Sequence, residues 1–219
     1  MSDPQDAVSS EVEPGVGERL RVLRQAAGIS LRHLAKELGV SPSAVSQIER
    51  GKLQPSLGRV IAMTEALGVP LSSAFSTGDG GASTPGHDDV AVARAGEIQP
   101  TSFGKGVSLR RLSPKPVEQL EFFESIYPPG SASNDGAMVH HEGFEMGTVT
   151  SGELTVQVDG ESVILREGDS IAFPSMRPHL ISNHSRDTRA VATWIIFQSP
   201  GSSPWVFPVK GDRDVTPGQ

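Results

Sequence analysis

Cysteine is absent from the 219 residues, which excludes disulfides, thiolate zinc sites and cysteine nucleophiles. Aromatic residues make up only 5%, with Tyr127 the sole tyrosine, so few phenols are available to clamp a substrate. No run approaches the roughly 18 consecutive apolar residues that a membrane span requires. The start, MSDPQDAVSSEVEPGVGE, is acidic and polar, without the basic and apolar regions of a secretory signal. A soluble cytoplasmic protein with no membrane partner is therefore expected. What is present is turn-forming: 24 Gly and 17 Pro favour short strands over long helices. A hydrophobic content of 36% still suffices for compact cores, and the length fits two small domains.

Charge is divided unevenly. The net value of −7 would argue against a nucleic-acid partner, yet residues 17–75 carry eight Lys/Arg against four Asp/Glu, a net +4. The rest holds eleven basic and twenty-two acidic residues, a net −11. A basic module attached to an acidic one is the implied arrangement.

Hydrophobic periodicity separates the same two parts. After a polar tail over 1–14, Leu20, Leu23 and Ala27 recur at helical spacing up to Gly28. Ser30 caps a second helix bearing Leu31, Leu34 and Leu38, and Gly39 stops it. Ser41-Pro42 pairs an N-cap residue with proline at the first helical position, so a third helix runs to Arg50-Gly51. Ser56 opens a fourth carrying Val60, Ile61, Ala66 and Leu67, closed by Gly68, and Leu71 to Phe75 would add a short fifth. Residues 76–98 have the composition of a flexible linker at their start, STGDGGASTPGHDD. Beyond it the period becomes two. Leu154, Val156 and Val158 alternate with polar residues, Asp159-Gly160 signals a hairpin, and Val163, Leu165, Ile171 and Phe173 continue the pattern. Ala190 to Phe197 is apolar throughout, as a strand buried on both faces would be. Short strands at this spacing suggest a sandwich or barrel.

Residues 30–51, SLRHLAKELGVSPSAVSQIERG, have the form of a helix-turn-helix, with Ala35 at the crossing and Val45 and Ile48 facing the core. Pro42, Ser43, Ser46 and Gln47 then lie on the outer face, where they would reach base edges in a major groove. Gln47 is the best single reader, since an amide can bond adenine N6 and N7 together. Residues 17–75 resemble the phage-repressor-like (Xre) helix-turn-helix family almost end to end. The resemblance is carried by Leu20-x-x-Leu23-Arg24, Ser30-Leu31-x-x-Leu34-Ala35, Gly39-Val40-Ser41 and Ser46-Gln47-Ile48-Glu49-x-Gly51. It implies a five-helix DNA-binding domain over 15–75 with its recognition helix at 42–50. The DNA-binding set is then Ser30, Ser41, Pro42, Ser43, Ser46, Gln47, Lys52 and Gln54, in which Ser30, Lys52 and Gln54 touch phosphates. Arg24 and Glu49 match a structural ion pair of that family and stay off the base-contact list.

Histidine is scarce, six in all, and two stand together in MVHHEGFE, residues 138–145. Adjacent strand residues point to opposite faces, so His140 and His141 cannot both look inward. His141 and Glu145 share parity and would converge with His179, and two imidazoles with one carboxylate suit a divalent metal. The alternative on the residues alone is a set of solvated histidines and acids at strand ends. Residues 136–183 resemble the two cupin motifs. His141, Glu145 and Gly152 fit the second half of the first, and Gly168, Pro174, His179 and Asn183 fit the second, with Met176 in place of its middle glycine. The first histidine of the family falls on Val139, so three of four usual ligands remain. The resemblance implies a cupin β-barrel (a double-stranded β-helix) over 99–210, before a tail at 211–219, with one divalent ion (Fe, Mn, Zn or Ni) on His141, Glu145 and His179.

The whole therefore reads as a multidomain protein, α then β: a regulator that binds a duplex DNA operator as a homodimer or higher homo-oligomer, with a barrel that senses a small molecule or metal. No catalytic residue is assigned. One alternative is a non-heme iron oxygenase or epoxidase resembling phosphonate epoxidase, using the same His141, Glu145 and His179; another is a metal-free barrel, without a cofactor, that serves only for dimerisation.

Overall fold

The computed structural model describes residues 15–75 and 90–197, apart from positions 95, 116, 118 and 135. The two tails, most of the expected linker and the end of the expected barrel range lie outside the described residues. Helices α1 (Val16–Ala26), α2 (Leu31–Glu37), α3 (Pro42–Glu49) and α4 (Leu57–Leu67) come first, followed by strands β1 (Thr101–Phe103), β2 (Val107–Arg111), β3 (Leu120–Tyr127), β4 (Phe144–Ser151), β5 (Glu153–Val158), β6 (Glu161–Arg166), β7 (Ser170–Pro174), β8 (His179–Ser182) and β9 (Ala190–Phe197). Among the described residues no helix is long and apolar enough to cross a membrane.

The helices start where their capping residues stand. Ser30, Ser41 and Ser56 each accept a hydrogen bond from the backbone N–H three residues on, satisfying a donor that the first helical turn leaves free. The five-helix expectation is corrected to four. Leu71–Ala74 forms only a 3-10 turn. Pro70 fixes its start and Phe75 is already extended, so too few residues remain to repay helix nucleation.

The strands make two antiparallel sheets, one of six in the order β1-β2-β3-β9-β4-β7 and one of three in the order β6-β5-β8. The β5–β6 connection is Asp159-Gly160, with φ of 51° and 84°, the doubly positive pair of a type I′ hairpin. Strand β9 sits in the middle of the larger sheet, which accounts for its apolar run, but its burial alternates. Ala190, Ala192, Trp194 and Ile196 are buried while the opposite face is half-buried, correcting the expectation of two buried faces.

Among the described residues, two hydrophobic clusters form the core. One fills the space between the sheets around Tyr127, Leu154, Val156 and Trp194. The other belongs to both modules: Leu20, Leu34, Val45, Val60, Met63 and Phe75 continue into Phe103, Leu109, Phe123 and Ile196. Phe75 meets Phe103 and Phe123 edge-on, with ring centroids 5.6 and 5.4 Å away. Such pairs contribute about 0.5–1.5 kcal/mol each beyond their buried area. Backbone contacts lie beside them, with Gly104 N–H donating to Pro55 O and Ser72 N–H to Glu121 Oε1, both at 2.9 Å.

Candidate functional site

The helix-turn-helix is built from α2 and α3. Ala35, nearly without exposure at 1%, lets the helices cross closely, and Val45 and Ile48 hold α3 on the bundle. Arg24 of α1 fixes the far end of α3. Its Nε and Nη2 donate to the two Glu49 carboxylate oxygens at 2.5 and 2.8 Å, and Nη1 donates to Ile29 O at 2.9 Å. Pro42, Ser43 and Gln47 are exposed on the outer face of α3, with Ser46 half-buried beside them. The Gln47 amide donates to Ser43 Oγ at 3.3 Å, a weak exposed bond that a better partner would displace. Ser30 and Ser41 use their hydroxyl oxygens as helix caps, and Lys52 is exposed. Gln54 has another occupation: its Nε2 donates to Ser102 O on β1 at 2.9 Å, which turns it toward the sheet.

The second cluster lies inside the barrel. His141 precedes β4, Glu145 stands on β4 and His179 opens β8. All three are buried, and their ligand atoms lie within 4.8 Å of one another. His141 Nε2 is 2.6 Å and His179 Nε2 is 3.2 Å from the same Glu145 oxygen. His140 is exposed, as opposite facing requires, and Val139 pairs with His179 across an isolated bridge.

The outer nitrogens decide the tautomers. His141 Nδ1 faces Glu142 O at 3.2 Å and His179 Nδ1 faces Arg177 O at 2.8 Å. A carbonyl oxygen only accepts, so each Nδ1 carries the proton and each Nε2 presents its lone pair to the centre when the ring is neutral. This is the orientation in which metal-bound histidines are usually held. Despite its short distance to Glu145, His141 Nε2 is not aligned for a hydrogen bond. Two nitrogens and one carboxylate oxygen are a donor set for Fe, Mn, Zn or Ni, so the residues fit a divalent ion. Burial opposes ionisation of Glu145, but the two facing imidazoles outweigh it and hold the carboxyl down at about 2. Burial likewise disfavours a charge on His141, yet the Glu145 carboxylate outweighs it and the net direction is upward.

Beside this cluster is a cavity of about 40 Å³, room for roughly three water molecules. Its lining is mostly apolar, including Leu109, Phe123, Val139, Ile181 and Trp194, with Glu145 and His179 at one end. One wall comes from the helices: Leu57, Gly58 and Ile61 of α4, with Leu71.

Comparison with known proteins agrees with this division. The family model for a helix-turn-helix domain matches residues 16–73, and that for a cupin domain matches 123–196. The HTH-type transcriptional regulator PuuR of Escherichia coli (strain K12) is 31% identical over 170 residues, which cover 77% of this chain and 88% of the relative. The chain belongs to the helix-turn-helix transcriptional regulators that carry a cupin domain. The HTH-type regulator SutR of the same organism is 29% identical over 171 residues, 77% of this chain and 87% of that one. A crystal structure of an HTH_3 family transcriptional regulator from Vibrio cholerae covers 84% of this chain and 95% of its own, with a TM-score of 0.62 at 23% identity, which bears on the fold alone.

Membership in a regulator family makes DNA the partner of the helical module and leaves the epoxidase alternative less supported. The regulator's α3 and its His-Glu-His cluster stand where the motifs place them. The α4 wall of the cavity was missed. Its signal was present: Leu57 and Ile61 supply apolar residues beyond the Val60, Met63 and Leu67 face that the bundle uses, and a helix apolar on two sides has two neighbours.

Proposed function

We propose that the protein is a metal-dependent or effector-dependent DNA-binding regulator. Two copies would read a two-fold-related operator, because one short recognition helix contacts too few bases for useful specificity. Pro42, Ser43, Ser46 and Gln47 would face base edges. Ser30, Ser41, Lys52 and Gln54 would lie against phosphates, Gln54 through the second N–H of the amide whose first is held by Ser102 O. In the barrel, His141, Glu145 and His179 would hold one divalent ion, and the cavity beside them would take a small effector. The observation that carries the sensing half is the geometry: both buried imidazoles have Nδ1 on a backbone carbonyl and Nε2 facing one Glu145 oxygen, the arrangement in which a divalent ion could sit between them.

The test is the metal content of full-length protein purified without chelators, together with its affinity for a duplex selected from a random library. About one ion per chain is expected. His141→Ala and His179→Ala should each abolish it, and His140→Ala should not. Uptake should weaken as pH falls, because a protonated imidazole cannot ligate. Metal-free protein whose DNA affinity ignores added Mn²⁺, Zn²⁺, Ni²⁺ and Fe²⁺ would refute the metal half and leave an apolar pocket.

A further inference from the structure

The cavity is too small for an effector of ordinary size, and one of its walls belongs to the DNA-binding module. Helix α4 is packed on two sides. Val60, Met63 and Leu67 lie in the bundle core, while Leu57, Gly58 and Ile61 line the cavity. Polar contacts seat this second face. Gly58 N–H donates to Ser133 O at 3.2 Å and Ser56 Oγ donates to Asn134 Oδ1 at 2.7 Å. At the other end of the helix, Glu142 N–H, next to His141, donates to Glu65 Oε1 at 3.1 Å.

The seat is tight at Gly58. A Cβ there would come within 2.5 Å of Asn134 Oδ1 and of Val139 Cγ1. Neither neighbour yields easily. Asn134 is held by Ser56 and donates to Ala137 O, and Val139 exchanges two backbone hydrogen bonds with His179 at 2.9 and 2.8 Å. Val139 is also β-branched and stiff at χ1. Because α4 supplies Val60, Met63 and Leu67 to the same core as Val45 and Ile48 of α3, lifting it off the barrel carries α3 with it.

We infer that α4 is the movable wall of the effector site: a molecule with a metal-binding carboxylate head and an aliphatic body larger than the cavity enters only by lifting Leu57, Gly58 and Ile61 off the barrel, so occupancy unseats the DNA-binding module. The inference rests on the reading that the barrel holds a metal and an effector. Its thermodynamic content is linkage. A ligand that fits only the unseated arrangement shifts the population toward it, and whatever operator binding gains from the seated arrangement is lost. The seated arrangement fixes α3 relative to the barrel, which suits two α3 helices spaced by a dimer, so unseating weakens operator binding but not the attraction to random duplex.

Gly58→Ala tests the wall without a ligand. The position is helical and has no positive φ, so alanine favours α4 itself and acts only as a wedge. In full-length protein, hydrogen exchange at the amides of residues 58 and 142 should rise at least tenfold, with far-UV circular dichroism unchanged. Affinity for the selected operator should fall at least about fivefold, and affinity for random duplex should hold. A folded variant with unchanged exchange at those amides, or with faster exchange and unchanged operator affinity, overturns the proposal. The wild-type protein supplies a second measurement. In the presence of Mn²⁺, hexanoate should raise exchange at the same amides, while formate, a carboxylate without an aliphatic body, should leave it unchanged. Hexanoate bound by calorimetry with both amides still protected overturns the moving wall and leaves the effector reading in place. A Gly58→Ala variant that behaves as stated, with no hexanoate bound, upholds the wall and removes the carboxylate class of effector.

Discussion

Glu49→Ala separates two roles for a residue on the recognition helix. The Arg24–Glu49 pair is two-pronged and buried, with side-chain exposures of 11% and 3%. Removing the carboxylate leaves the guanidinium inside the bundle with Ile29 O as its remaining acceptor among the described residues. Breaking such a pair from one side costs about 3–5 kcal/mol, because the surviving charge stays desolvated. Against a whole-domain stability of about 5–15 kcal/mol, that loss should be plain in urea unfolding followed by far-UV circular dichroism. Arg24→Met with Glu49→Leu should recover most of it, since apolar residues of similar volume replace buried ion pairs at little cost. The functional consequence follows from geometry. The pair holds α1 against the end of α3 and faces away from the outer side, so the double variant should select the same operator sequence as wild type. A stability loss below about 1 kcal/mol for Glu49→Ala, or a changed base preference in the stable double variant, would refute the structural role and make Glu49 a DNA reader.

Three further outcomes follow from the same geometry. Gln47→Ala should cost about 1–3 kcal/mol on the selected operator and relax preference at one base pair per half-site, whereas equal losses on operator and random duplex would mean that Gln47 reads no base. Replacing His141 or His179, but not His140, should remove the bound ion, as elemental analysis would report. Glu121 is pushed up by burial, with the Ser72 hydrogen bonds and Arg111 opposing it. The folded state thus keeps that proton longer than the unfolded chain, and stability drains away as pH rises from the ordinary glutamate range through the raised value. Glu121→Gln keeps an acceptor for Ser72 N–H and should match wild type below that window and exceed its melting temperature above it. A variant that is less stable than wild type at neutral pH would show that the charge is needed.

How much of this was legible in the sequence varies with the kind of signal. Helix starts were written in local chemistry, so Ser30, Ser41 with Pro42, and Ser56 each mark a boundary that the structure keeps. The Asp159-Gly160 hairpin was equally local. The convergence of His141, Glu145 and His179 needed the motif spacing as well, since nothing local places His179 beside a residue on another strand. What the residues did not state were tertiary choices. Leu71 to Phe75 has helical-looking apolar spacing, yet Phe75 is drawn out between Phe103 and Phe123 and the segment closes as a 3-10 turn. Gln54 reads as a polar loop residue near DNA, and only the packing of β1 against the loop gives its amide a carbonyl.

The shared cluster changes what a two-module chain means energetically. A composition break at 76–89 suggests two units that could be cut apart, with proteolysis starting there. Those residues lie outside the described ones, but the units on either side bury Phe75, Phe103, Leu109, Phe123 and Ile196 in common. A chain nicked between them would keep both halves in contact, since the contact does not depend on the covalent link. Separating them would expose Phe75 and the Leu57–Ile61 face of α4 along with the barrel surface they cover. Full burial of one such side chain contributes about 1.5–3 kcal/mol, so opening the joint costs several kcal/mol before any ligand is counted. A coupling energy between two sites is typically about 1–3 kcal/mol. Complete separation therefore exceeds what linkage ordinarily supplies, and a tilt of α4 that keeps Phe75 in its aromatic seat while lifting Gly58 does not. The hinge implied by these magnitudes is Leu71 to Phe75, where hydrogen exchange should stay slow while the amide of residue 58 opens.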